Sequence, residues 1–196
     1  MLSFYCIIYK PFNVLSQFTS QDGKQTLADY FDVPKDVYPV GRLDYDSEGL
    51  LILTNDKSLN NRLLNPLNGH QRTYWVQVDG AVTKAAINGL QNGVDISIDS
   101  KIHHTKKCSV QIIDPAPEVP ERTPPVRFRK SIPTSWISLS ITEGKNRQVR
   151  KMTAAVGFPT LRLIRYSIES CTVEMLAPGE MKVLSASEIQ QLLFKK

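Results

Sequence analysis

The chain has 196 residues, of which 41% are apolar and 22% charged, proportions ordinary for a globular protein with a buried core. Its formal net charge is +5, and the excess is local. Residues 122–165 hold ten Lys or Arg (Arg122, Arg127, Arg129, Lys130, Lys145, Arg147, Arg150, Lys151, Arg162, Arg165) against one acid, Glu143. So one-sided a block predicts a polyanionic partner, most simply nucleic acid. No run approaches the roughly 18 apolar residues of a membrane helix, so no membrane partner is expected. Cys6, Cys108 and Cys171 are far apart and in no zinc-type pair, which predicts reduced thiols. Met1 to Tyr9 has no basic residue ahead of its apolar run and reads as a first strand, not a signal peptide, so the expected location is the cytoplasm.

In chain order, Phe4 to Tyr9 reads as a buried strand ended by the turn Lys10-Pro11-Phe12-Asn13, and Thr26 as the cap of a short helix, Leu27 to Phe31. The turn Gly41-Arg42-Leu43-Asp44-Tyr45-Asp46-Ser47-Glu48-Gly49 leads into an apolar run, Leu50 to Thr54, with the composition of a core strand. Asp56 is placed to cap a helix carrying Leu59, Leu63 and Leu64, which stops at Asn65-Pro66. Arg72 to Val78 alternates, setting Tyr74, Val76 and Val78 on one face and Thr73, Trp75 and Gln77 on the other. A helix over Thr83 to Leu90, closed by Asn92-Gly93, precedes strands at Val94 to Ile98 and Ser109 to Ile113. Five prolines between Pro115 and Pro125 forbid regular structure and predict an exposed, stiffened loop. Ser135 to Thr142 is a strand with Ile137, Leu139 and Ile141 inward, and Glu143-Gly144-Lys145-Asn146 turns the chain into a helix from Arg147 to Val156. Strands at Leu161 to Ile168, Val173 to Leu176 and Met181 to Leu184 and a helix from Ser187 to Phe194 complete an α+β chain with one mixed, largely antiparallel sheet. We expect a single domain over residues 1–196.

A loop on the end of a core strand holds its side chains still, which makes Asp44, Asp46 and Glu48 candidates for chemistry. As a calcium loop the segment fails, because its twelfth position is Asn55 where a bidentate Glu is needed. A glycosidase pair would need two carboxylates held across a sugar. A lone nucleophilic Asp would need a neighbouring cation to keep it ionised, and plain turn formation accounts for aspartates as well. In the helix after Gly144, Arg147, Arg150 and Lys151 share one face and Val149, Met152 and Val156 another, so one side can be buried while cations and a positive dipole end meet phosphate. Tyr74 points core-ward in strand phase, either as a packed core ring or as a platform for a base. His70, His103 and His104 show no metal spacing and read as surface or loop residues.

Taken together, Lys10-Pro11 after a first strand, Gly41-Arg42-Leu43-Asp44 before Leu50 to Thr54, the Tyr74 strand, and Glu143-Gly144-Lys145-Asn146-Arg147-Gln148-Val149-Arg150-Lys151-Met152 resemble the RNA pseudouridine synthases of the small-subunit synthase A class. Lys130-Ser131-Ile132-Pro133-Thr134-Ser135-Trp136 and Val156-Gly157-Phe158-Pro159-Thr160-Leu161-Arg162-Leu163-Ile164-Arg165 are similar to a branch of that class that acts on large-subunit ribosomal RNA. The resemblance implies a central sheet with helices outside it and a catalytic cleft across its middle. It implies that Asp44 attacks a flipped uridine, either directly at the sugar or by deprotonation toward a glycal, before the uracil rejoins through carbon. Arg150 would pair with Asp44 and keep it ionised, Tyr74 would lie against the uracil, and Leu163 or Ile164 would close the apolar side. Arg42 would fill the gap left by the extruded base. Lys10, Lys145, Arg147, Lys151, Arg162 and Arg165 are the implied RNA contacts, the basic block meeting phosphates. The implied reaction uses no cofactor and no metal, the partner is large-subunit ribosomal RNA, and a monomer is expected.

Two departures from the pattern stand out: no small RNA-binding domain is expected ahead of the catalytic one, and Met181 stands where relatives often show tryptophan. A non-catalytic RNA-binding or ribosome-assembly module on the same fold is the alternative function, with a glycosidase third.

Overall fold

The computed structural model describes residues 3–127, 129 and 131–194. Met1, in the expected first strand, and Lys130, in the basic block, therefore lie outside the described residues. The chain packs into two compact units, one made of Met1–His70 with Ile164–Lys196 and the other of Gln71–Leu163.

The first unit opens with β1 (Tyr5–Lys10), buried at every position, as an unbroken apolar run predicts for a central strand. Where a helix was expected over Leu27 to Phe31 there is only a 3-10 turn at Leu27–Asp29. Thr26 and Asp29 bond each other reciprocally across so short a segment that no second turn follows. β2 (Tyr38–Pro39) is a two-residue edge on β3 (Glu48–Thr54). β3 starts two residues earlier than expected, so Glu48 and Gly49 belong to the strand and not to the turn. α1 (Lys57–Leu64) is capped as its sequence predicts, the Asp56 carboxylate accepting from the Ser58 and Leu59 amides at 2.8 and 3.1 Å.

The second unit is built from β4 (Arg72–Asp79), α2 (Lys84–Asn92), β5 (Asp95–Ile98), β6 (Lys101–His104), β7 (Ser109–Ile113), β8 (Thr134–Ile141) and α3 (Gln148–Ala155). β8 lies between β4 and β7, antiparallel to both, with Tyr74 opposite Leu139 and Val76 opposite Ile137. β5 and β6 form a hairpin of their own, and β6 was not foreseen: its Lys-Ile-His-His sequence carries no apolar alternation. The core collects Val76, Val78, Leu90, Ile96, Val110, Ile137, Leu139, Ile141, Val149, Met152 and Leu163. The proline-rich segment is free of helix and strand, as expected.

β9 (Thr160–Ile168) carries the chain back into the first unit, followed by β10 (Cys171–Thr172), β11 (Met181–Leu184) and α4 (Ala186–Phe194). In that unit β11, β1 and β3 pair antiparallel, while β3 meets Ile164 and Arg165 of β9 in parallel, which makes the sheet mixed. The strand expected over Val173 to Leu176 is instead a turn in which the Leu176 amide donates to the Val173 carbonyl at 3.0 Å. The core between Cys6, Ile8, Val14, Leu27, Phe31, Val37, Leu51 and Leu53 anchors the base of the acidic turn.

Candidate active site

In the first unit, Asp44 stands on a turn fixed from several sides. The Leu43 amide donates to Ser16 Oγ at 3.0 Å and Ser16 Oγ donates back to the Leu43 carbonyl at 2.8 Å. The Asn13 amide donates to the Tyr45 carbonyl at 2.9 Å, and the Ser47 amide to the Asp44 carbonyl at 3.0 Å, closing the turn itself. Leu43 is buried, and Leu50 to Leu53 beyond it are wholly enclosed. An acid placed here sits at the mouth of a rigid strand, as a reacting carboxylate requires.

Charge is concentrated beside it. Register sets Lys10, Gly49 and Arg165 abreast on three neighbouring strands, so the one position without a side chain lies between two cations. Gly49 has φ +103, and a methyl group there would run into the Arg165 backbone, its amide nitrogen being 2.8 Å away. Glycine is what lets β9 approach β3 so closely. Lys10 is fully buried; its Nζ donates to the carbonyls of Pro11 and Val14 at 2.8 and 2.7 Å. Burial pushes the Lys10 ammonium down to about 7, opposed by the charges of Glu48, Asp46 and Asp44 and aided by Arg165. Asp44, Asp46, Glu48, Lys10 and Arg165 thus form one electrostatic group. Glu48, placed by the sequence in the acidic turn as a candidate for chemistry, is a buried strand residue.

Three of the implied RNA contacts are buried. Lys10 spends its donors on two backbone carbonyls. Arg165 is 4% exposed and gives Nε to the Leu50 carbonyl at 2.8 Å, while Arg162 is 5% exposed and gives Nη2 to the Pro120 carbonyl at 2.8 Å, tying down the proline-rich loop. Arg42 is exposed and borders a groove of about 890 Å³ lined by Phe18, Phe31, Tyr38 and Leu64. Ile164 is buried in this unit.

The second unit holds the other candidates. Tyr74 is half-buried against the core, and Leu163 is inside it. On α3, Val149 and Met152 are buried, Arg150 and Lys151 half-buried, and Lys145 and Arg147 exposed just ahead of it, the two-faced arrangement that the spacing predicts. His70 lies in a loop, as expected, but is packed there: its Nδ1 lies 2.9 Å from Glu169 and its ring edge-on to Phe194, while the part-exposed His103 on β6 has Nε2 3.1 Å from Glu143. His104 is exposed and pairs with Asp95 at 2.7 Å. The sequence reading missed Glu48, Glu143 and Gln148 as buried polar residues. Only the apolar neighbours of Glu48 offered a signal.

Residues 4–155 match the family model described as RNA pseudouridylate synthase. The chain belongs to the RNA pseudouridylate synthase family. It is therefore an isomerase. Among similar proteins, the ribosomal large subunit pseudouridine synthase E of Vibrio parahaemolyticus is 53% identical over 176 residues, covering 90% of this chain and 71% of that one. The protein of the same name from Xanthomonas axonopodis pv. citri is 50% identical over 174 residues, covering 88% and 89%. A crystal structure of a pseudouridylate synthase superposes with a TM-score of 0.78 at 27% identity over 98% of this chain and 74% of the other. The α+β fold with its mixed sheet is thus the synthase fold. Among the described residues of the synthase, no helix is long and apolar enough to cross a membrane, and no three His, Cys, Asp or Glu are grouped to hold a metal ion.

Proposed function

We propose that this synthase converts a uridine of large-subunit ribosomal RNA to pseudouridine, with Asp44 as the reacting carboxylate. What carries the reading is that the relatives 44–53% identical over 88–94% of the chain bear the name ribosomal large subunit pseudouridine synthase E. The fixed turn supports Asp44 in particular. Of the three acids of the segment, Glu48 is 2% exposed in a strand, and the Asp44 carbonyl accepts the bond that closes the turn.

On the family pattern Arg150 is assigned to keep Asp44 ionised, Tyr74 to lie against the uracil, Leu163 or Ile164 to close the pocket, and Arg42 to occupy the place of the extruded base. Exposed Lys145 and Arg147, with Lys151, are the phosphate contacts. Lys10, Arg162 and Arg165 are assigned to the framework. The whole chain is proposed to act as one catalytic domain, as a monomer, in the cytoplasm where ribosomal RNA is made in bacteria such as those of its relatives.

The test is Asp44→Asn assayed on bare ribosomal RNA, with new pseudouridines mapped by carbodiimide-dependent reverse-transcription stops. Wild type is expected to give one or a few strong stops in large-subunit RNA, and the variant none, while it keeps its melting temperature and its affinity for RNA. Conversion by the variant would refute the role of Asp44, and a wild type that binds RNA without converting it would leave the non-catalytic module as the better reading.

A further inference from the structure

Arg147, at the N-cap of α3, has φ +50 and ψ +31, a left-handed conformation that is strained for a residue with a side chain. Among the described residues, no side chain caps the helix there. Such a conformation persists only where its surroundings over-determine it, and here they do. The Gln148 amide donates to the Lys145 carbonyl at 3.1 Å while the Lys145 amide donates to Gln148 Oε1 at 2.9 Å, so the two residues clasp each other across Asn146 and Arg147.

Gln148 is itself 3% exposed, and its Nε2 donates to Glu143 at 2.6 Å. Glu143 also accepts from the Lys106 amide at 2.8 Å and lies 3.1 Å from His103 Nε2 on β6. These donors hold the Glu143 carboxyl below its ordinary range although burial pushes the other way. The segment that displays Lys145 and Arg147 is therefore braced, through two buried polar side chains, on the β5–β6 hairpin.

We infer that the His103–Glu143–Gln148 network holds Lys145 and Arg147 in register for RNA phosphates, which makes the β5–β6 hairpin part of the RNA-binding apparatus and His103 a positioning residue. The inference rests on the proposed role of these two cations in binding RNA. Arg150 is one turn further along α3, in a helix seated by buried Val149 and Met152 and by Thr153, so loosening the start of the helix reaches RNA contact before it reaches the chemistry.

The experiment uses His103→Ala and His103→Gln in the full chain with a ribosomal RNA fragment as probe. His103→Ala is expected to raise KM about tenfold with kcat at saturating RNA within twofold of wild type. It should also lower the slope of log affinity against log salt by about 1, the signature of one or two lost phosphate contacts. His103→Gln, which keeps an N–H within reach of Glu143, is expected to restore both. In a Lys145→Ala/Arg147→Ala background, His103→Ala should add nothing, because it acts through those two residues. A purely structural His103 would instead lower the melting temperature and leave KM and the salt slope alone, and that result, or an additive effect in the double background, would overturn the inference. His103→Asn, whose amide stops short of Glu143, replaces the alanine variant if that one fails to fold. Binding measured with the Asp44→Asn protein reads the salt slope without catalysis, so failure of the catalytic assignment would be told apart from failure of this one.

Discussion

Lys10→Met tests whether the buried charges beside Asp44 act on one another as their geometry requires. The wild-type amine has no solvent access and two carbonyl acceptors, a set that a neutral amine satisfies with its two N–H bonds. Its pKa falls from the ordinary 10.5 to about 7 in the folded chain. Between those values the unfolded chain binds the proton and the folded one does not, so stability rises with pH through that window, and the gain is lost as pH falls back to 7, below which both states bind the proton. A one-proton difference between the two states is worth about 1.4 kcal/mol for every pH unit crossed, so wild type should gain roughly 2 kcal/mol between pH 7 and pH 9. The variant lacks this one titration and keeps the others that wild type has. Urea unfolding of both proteins at pH 6, 7, 8 and 9 measures the difference directly. The two stability curves should converge or cross in favour of wild type as pH rises. Curves that stay parallel would show that Lys10 titrates as an ordinary lysine and would refute this reasoning about the site's electrostatics.

Arg150→Ala is expected to lower kcat by about 100-fold or more with RNA affinity changed less than tenfold, if it holds the reacting carboxylate ionised; single-turnover conversion at saturating enzyme separates the two. Gly49→Ala meets a left-handed φ and the Arg165 backbone at once, and should destabilise the fold by more than about 2 kcal/mol in a chemical melt, whereas Gly144→Ala, which meets nothing within 4 Å, should cost under about 1 kcal/mol.

The sequence disclosed the elements whose signal is local. An unbroken apolar run at β1, the alternation of β4 and β8, the Asp56 cap and the two-faced α3 each depend on residues within one or two turns of one another, and each is found where it was expected. It failed where geometry depends on distant partners. β6 is a strand because β5 folds back on it, with Asp95 to Ile98 paired residue for residue, and nothing in Lys-Ile-His-His would say so alone. Val173 to Leu176 has strand composition, but its first amide is taken by the Tyr166 carbonyl and its last by Val173.

The site follows the same division. The position of Asp44 at the head of a core strand was legible, since an acidic turn before an apolar run is a local pattern. Which cations can reach RNA was not, because charge in a sequence does not carry burial. Arg147, Arg162 and Arg165 are alike on paper, and only their surroundings separate an exposed guanidinium from two that are spent on the carbonyls of Pro120 and Leu50. Those two bonds change what the basic block means. Part of its charge, that of Arg162 and Arg165, lies inside the protein. A count of lysines and arginines over residues 122–165 is therefore expected to overstate the phosphate contacts. The salt dependence of RNA binding should report fewer of them than the ten basic residues of the block.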